Sequence, residues 1–127
     1  MGPDDVLVKQ LVCNICTTDY GQWLGLREHQ GYPMAGGHEG SGIVEAVGSG
    51  VKDLKPGDHV AVAYNSCGKC EACRRGHEGQ CTSADYKNLT EDGYRGNFGF
   101  ADYNVRSARN LVKMNRNFLP QKAAFLE

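Results

Sequence analysis

The chain has 127 residues, room for one domain of ordinary size but not for two full α/β domains. Apolar residues make up 40% and charged residues 23%, a globular rather than a disordered balance. The net charge of −1 leaves no basic excess for a nucleic-acid face, and no apolar run approaches the roughly 18 residues of a membrane span.

Asp5 to Val12 reads as a strand, with Val6, Val8 and Gln10 on one face and Leu7, Lys9 and Leu11 on the other. Cys13 to Asp19 reads as a loop. Thr18 is placed to cap a short helix through Tyr20 to Leu26, weakened by Gly21 and Gly25. Gly31 to Gly37 is a loop. Within the stretch from Tyr20 to Met34, Trp23, Leu24, Tyr32 and Met34 are expected in the core more often than in a pocket wall.

Glu39 to Val47 reads as a second strand, its Gly40 and Gly42 marking a bulge or a close backbone approach. Gly48 to Gly50 and Lys55 to Asp58 are turns, and His59 to Tyr64 is a strand. Asn88 to Gly99 is a loop, Phe100 to Val105 and Asn110 to Met114 are short strands, and Pro120 opens a helix. With 17 glycines and several short strands, the chain is expected to be mainly β with a few short helices, Greek-key or barrel-like.

Six cysteines in a chain that begins without a basic-then-apolar leader point to the cytoplasm and to metal or chemistry rather than disulfides. Cys67, Cys70, Cys73 and Cys81 have the spacing C-x2-C-x2-C-x7-C within a polar segment, 65–82, that lacks a core of its own. Four thiolates make the closed tetrahedral shell of structural Zn²⁺, and a metal would stand in for that core. An iron–sulfur cluster or two disulfides fit less well. Lys69, Arg74 and Arg75 are positioned in sequence to offset the negative shell.

Cys16, His38 and Glu39 offer a thiolate, an imidazole and a carboxylate, a set that suits a catalytic zinc with an open position. Asp19 could accept the spare N–H of His38, and Thr18 carries a hydroxyl able to pass a proton. The bland alternative is a solvated His–Glu pair and packed cysteines; Cys13 is read as packing.

These residues resemble the catalytic domain of the zinc-dependent medium-chain alcohol dehydrogenases. The resemblance runs from Asp5–Lys9 through Cys16–Asp19, Gly37–Gly48, Leu54–Val60, the four-cysteine lobe and Gly99–Tyr103 to Lys122–Glu127. It implies a GroES-like, partly open β-barrel over 1–127. It also implies Cys16 and His38 as catalytic zinc ligands and Glu39 as a ligand or adjacent acid. Thr18 falls at the proton-relay position, Asp19 at the acid behind the histidine, and the four lobe cysteines at a structural zinc. The implied reaction interconverts an alcohol or polyol and a carbonyl compound with NAD or NADP, in a protein that can form a homo-oligomer. Relative to that family the chain is expected to lack leading strands and the cofactor domain, since no G-x-G-x-x-G follows a strand, and to be inactive alone. The competing readings are a non-enzymatic zinc-stabilised interaction module and a degenerate fragment.

Overall fold

In the computed structural model, residues 1–26, 34–63, 65–82, 95–96 and 99–125 are described. In chain order the elements are β1 (Asp5–Asn14), α1 (Thr17–Trp23), β2 (Met34–Ala35), β3 (Glu39–Val47), β4 (His59–Val62), α2 (Glu71–Arg74), β5 (Arg95–Gly96), β6 (Tyr103–Ser107), β7 (Leu111–Met114) and α3 (Pro120–Ala123). Five of the strands form an open antiparallel sheet in the order β6-β1-β3-β4-β7, and β2 pairs with β5 in parallel.

The alternation in β1 decides which way the sheet faces. Val6 and Val8 are fully buried, while Lys9 and Leu11 are exposed. With Val44, Leu54, Val60, Val62 and Leu111 they make the core. The β1–β3 register shifts twice, between Leu7 and Val8 and between Gln10 and Val12, as β-bulges do. Gly42 lies opposite Gln10, where a Cβ would meet Val8 Cγ1 at 2.6 Å, so the expected close approach is present. The Lys55–Asp58 turn closes with Asp58 N–H donating to the Lys55 carbonyl at 3.0 Å, and it delivers the chain into β4. Pro120 sits in the first turn of α3, and its carbonyl accepts from the buried Ser41 hydroxyl at 2.7 Å, which ties the helix to β3.

Several boundaries differ from the sequence reading. β1 continues through Cys13 and Asn14, because both pair with β3 rather than entering a loop. α1 is capped by Cys16, not Thr18: the Cys16 sulfur accepts from Thr18 N–H and the Asp19 carboxylate from Cys16 N–H. β6 spans 103–107 instead of 100–105, since its register with Asp5–Lys9 starts at Tyr103. β4 is described to Val62; Tyr64 and Tyr32 lie outside the described residues. Residues 34–35 and 95–96, expected as loop, pair as a two-residue ladder. Trp23 is 78% exposed and Leu24 44%, so neither is core; they follow Tyr20 along the solvent side of a two-turn helix.

Candidate metal centres

The first centre is built where β1 ends. Cys16 leaves the strand and caps α1, so its sulfur is held by the Thr18 N–H at 3.1 Å. Asp19, in the first turn of α1, turns back so that one carboxylate oxygen accepts from Cys16 N–H at 3.0 Å. Its other oxygen accepts from Gly37 N–H at 3.3 Å, reaching the segment that carries His38. One carboxylate therefore fixes both chain segments that bring donor atoms to this point.

The His38 segment lies backbone to backbone against Gly99 and Phe100. Gly99 N–H donates to the carbonyls of Gly36 and Gly37 at 3.0 and 3.1 Å. Gly37 has φ +90, a left-handed conformation that glycine adopts without strain, and a Cβ there would lie 2.7 Å from Phe100 N. The Cys13 sulfur fills the space beside Gly37 and Gly99, in accord with a packing role.

That arrangement puts His38 Nε2 3.2 Å from the Cys16 sulfur and His38 Nδ1 3.8 Å from an Asp19 oxygen. A thiolate and an imidazole sharing one tetrahedral zinc would stand about 3.6 Å apart, so the pair fits. Cys16, Asp19 and His38 place donor atoms within 4.8 Å of one another. The group does not include Glu39, which begins β3 opposite Asn14 and is half-buried. Thr18 is one residue from Asp19 in the first turn of α1.

The second centre is the four-cysteine lobe. Cys67, Cys70, Cys73 and Cys81 place their sulfurs within 4.8 Å of one another. The Cys70–Cys73, Cys70–Cys81 and Cys67–Cys73 sulfur separations are 3.5, 3.8 and 4.0 Å. Four sulfurs around a zinc stand about 3.8 Å apart, so the donor set fits that ion. Backbone N–H groups converge on the sulfurs as well. Those of Lys69 and Cys70 donate to Cys67 at 3.4 and 3.2 Å and hold its thiol below the usual range. The N–H groups of Cys73 and Thr82 draw Cys70 down to about 5. Burial, helped by the Cys70 side chain, pushes Cys73 up to about 12. A divalent cation would offset that burial.

Of the cations expected to balance the lobe, the two arginines make contacts at its rim. Arg75 pairs with Glu71 at 2.5 Å, and Arg74 Nε donates to the Lys69 carbonyl at 2.7 Å, both at the exposed rim. The guanidinium seated on the lobe is instead that of Arg109, which reaches in from beyond β6. Nothing in the cysteine spacing signals it, because the contact spans 43 residues.

A model of the alcohol dehydrogenase GroES-like domain matches residues 2–116. Cinnamyl alcohol dehydrogenase 7 of Oryza sativa subsp. japonica is 38% identical over 117 residues, covering 88% of this chain and 31% of that protein. L-threonine 3-dehydrogenase of Pyrococcus furiosus is 36% identical over 132 residues, covering 99% of this chain and 36% of that protein. The crystal structure of galactitol-1-phosphate dehydrogenase from Escherichia coli superposes with a TM-score of 0.83 at 35% identity, covering 98% of this chain and 35% of that one. Benzyl alcohol dehydrogenase from Acinetobacter calcoaceticus gives a TM-score of 0.85 at 31% identity, covering 98% and 37%. The chain thus spans about a third of the length of the relatives it matches. With a mainly β fold, a four-cysteine cluster and a matched span that takes in both centres, the chain belongs to the alcohol dehydrogenase GroES-like domain family.

Proposed function

We propose that this chain is the zinc-binding catalytic domain of an oxidoreductase that interconverts alcohols or polyols and carbonyl compounds with NAD or NADP. The observation that carries the reading is the approach of Cys16 Sγ to His38 Nε2, 3.2 Å, with Asp19 behind Nδ1. In this reading Cys16 and His38 hold a catalytic zinc, and Glu39 is the third ligand or the acid beside it. Cys67, Cys70, Cys73 and Cys81 hold a structural zinc. A catalytic zinc in such a site supplies a Lewis acid for the substrate oxygen.

The chain's own residues do the rest. The Asp19 carboxylate lies 3.8 Å from His38 Nδ1, on the side where its charge favours a ring proton and so leaves the Nε2 lone pair facing Cys16. The same carboxylate keeps Cys16 and Gly37 in register, so the donor pair is set before a metal arrives. The Thr18 N–H donates to the Cys16 sulfur and fixes its position, and the Thr18 hydroxyl is the group that passes the substrate proton towards solvent.

Among the described residues no helix is long and apolar enough to cross a membrane. A cytoplasmic protein acting on small molecules, without nucleic-acid or membrane partners, fits this reading.

The test is the zinc-to-chain ratio by native mass spectrometry. Two zinc ions are expected per wild-type chain, and one after His38→Ala or Cys16→Ala. A wild-type ratio unchanged by either substitution removes the catalytic site from the proposal.

A further inference from the structure

The lobe meets the sheet through a narrow polar seat. Leaving β4, Ala63 N–H donates to the Asn110 carbonyl at 2.9 Å. The Asn110 side chain, 8% exposed, accepts from Ser66 N–H at 3.2 Å and donates to Asn65 at 3.4 Å. Arg109, its neighbour in the short turn between β6 and β7, spans the lobe. Its Nε donates to the Ser66 hydroxyl at 3.3 Å, directly before Cys67. Its Nη2 meets the Glu78 carboxylate at 3.4 Å, three residues before Cys81.

Between those two contacts the guanidinium lies over Gly68, in the turn from Cys67 to Cys70. Gly68 has φ +68, and any Cβ there would overlap Arg109 Nη1 and Cζ. The missing side chain is the cradle that the guanidinium occupies. Four thiolates around a divalent ion leave excess negative charge, and a planar, weakly hydrated guanidinium suits a close approach to it. Arg74 and Arg75 make their contacts at the exposed rim, whereas Arg109, while pairing with Glu78, lies over the turn between Cys67 and Cys70.

We propose that Arg109 is the positioning residue of the four-cysteine lobe: it clamps the segments that carry Cys67 and Cys81, and supplies the counter-charge that keeps a bound metal from leaving. The inference rests on the lobe being a metal site. It predicts that metal retention there depends on a residue of the turn between β6 and β7.

The test loads the full chain with zinc and measures release to an excess of a chromogenic chelator. In parallel, Co²⁺-loaded protein reports the thiolate-to-metal charge-transfer band. Arg109→Gln should release the lobe zinc faster by about 10-fold or more, the usual loss when a group supporting a metal shell is removed. Arg109→Lys keeps the charge but loses the fork, and should recover part of the loss. Arg74→Gln and Arg75→Gln should release at the wild-type rate. Gly68→Ala, which evicts the guanidinium while leaving Arg109 in the chain, should also speed release, and less so when combined with Arg109→Gln. If Arg109→Gln does not fold, the Gly68→Ala and Arg109→Lys rates decide the matter. Wild-type release and an unchanged Co²⁺ band in the Arg109 variants, with one lobe metal bound, overturn the assignment alone. A wild-type lobe that binds no metal overturns this inference and the structural-zinc reading together.

Discussion

Gly37→Ala tests how the His38 segment is held. Two costs add at this position. At φ +90 an alanine is in a region that costs an L-residue about 1–2 kcal/mol. Its Cβ would also lie 2.7 Å from Phe100 N and 2.9 Å from both Gly99 C and Cys13 Sγ. Two of those three atoms are backbone, so the chain itself must shift, and overpacking of this kind costs about 1–3 kcal/mol. The lost freedom of the unfolded chain returns about 0.4–1 kcal/mol. The net expectation is a loss of about 2–4 kcal/mol.

Gly25 separates the two costs. It has φ +70, but a Cβ there would have nothing within 4 Å. Gly25→Ala should therefore cost about 1 kcal/mol or less. Urea unfolding of both variants, with equal m values, reads the difference. In a thermal scan each kcal/mol corresponds to about 3–5 °C for a domain of this size. Because Gly37 N–H holds Asp19 and Gly37 precedes His38, Gly37→Ala should also lose the metal equivalent assigned to Cys16 and His38. If the two alanine variants agree within about 0.5 kcal/mol, the close packing of Gly37 on Gly99 and Phe100 is not a real constraint.

Val8→Ala, in the centre of the core, should lose about 2–3 kcal/mol in urea unfolding, while Val112→Ala, 52% exposed, should stay within about 0.5 kcal/mol. Ser41→Ala should cost about 0.5–1.5 kcal/mol by the same assay, through the lost hydroxyl bond to the Pro120 carbonyl; an unchanged midpoint would mean α3 is held by packing alone. Asp58 accepts from Lys113 Nζ at 2.8 Å and from Lys55 N–H at 3.0 Å, and these bonds lower its carboxyl pKa below 3.8 against the opposing effect of burial. Its contribution is therefore fully present above the unfolded value and lost as pH falls through the folded one. The stability advantage of wild type over Asp58→Asn should be constant above about pH 5 and shrink below pH 4 in unfolding curves; an advantage that persists at acid pH contradicts the pairing. Cys73→Ser should remove one zinc per chain and lower the unfolding temperature, and a chelator should have the same effect on wild type.

Much of the centre chemistry was legible in the chain itself. The Cys67–Cys81 spacing predicts a cluster because short cysteine intervals bring thiolates together locally, and the four sulfurs do converge. β3 begins and ends where the pattern places it, and the alternation of β1 correctly assigns Val6 and Val8 to the buried face. Local signals also located the Lys55–Asp58 turn and the proline-started α3.

What the tertiary structure decided is everything that depends on which distant segment arrives opposite. Strand ends are set by partners: β1 extends to Asn14 because Glu39 lies across from it, and β6 starts at Tyr103 because Lys9 does. Trp23 is apolar by composition but exposed, since no described element packs over that side of α1. Cys16 replaces Thr18 as the helix cap because Asp19 can close on its N–H while also reaching Gly37. Asp19 lies beside Cys16 and His38 for the same reason. Arg109 sits on the lobe because two turns separated by 41 residues meet at Gly68, a distance over which no periodicity or spacing carries information. Sequence fixes what is near in the chain, whereas contacts between remote segments are chosen by the free energy of the whole packed domain.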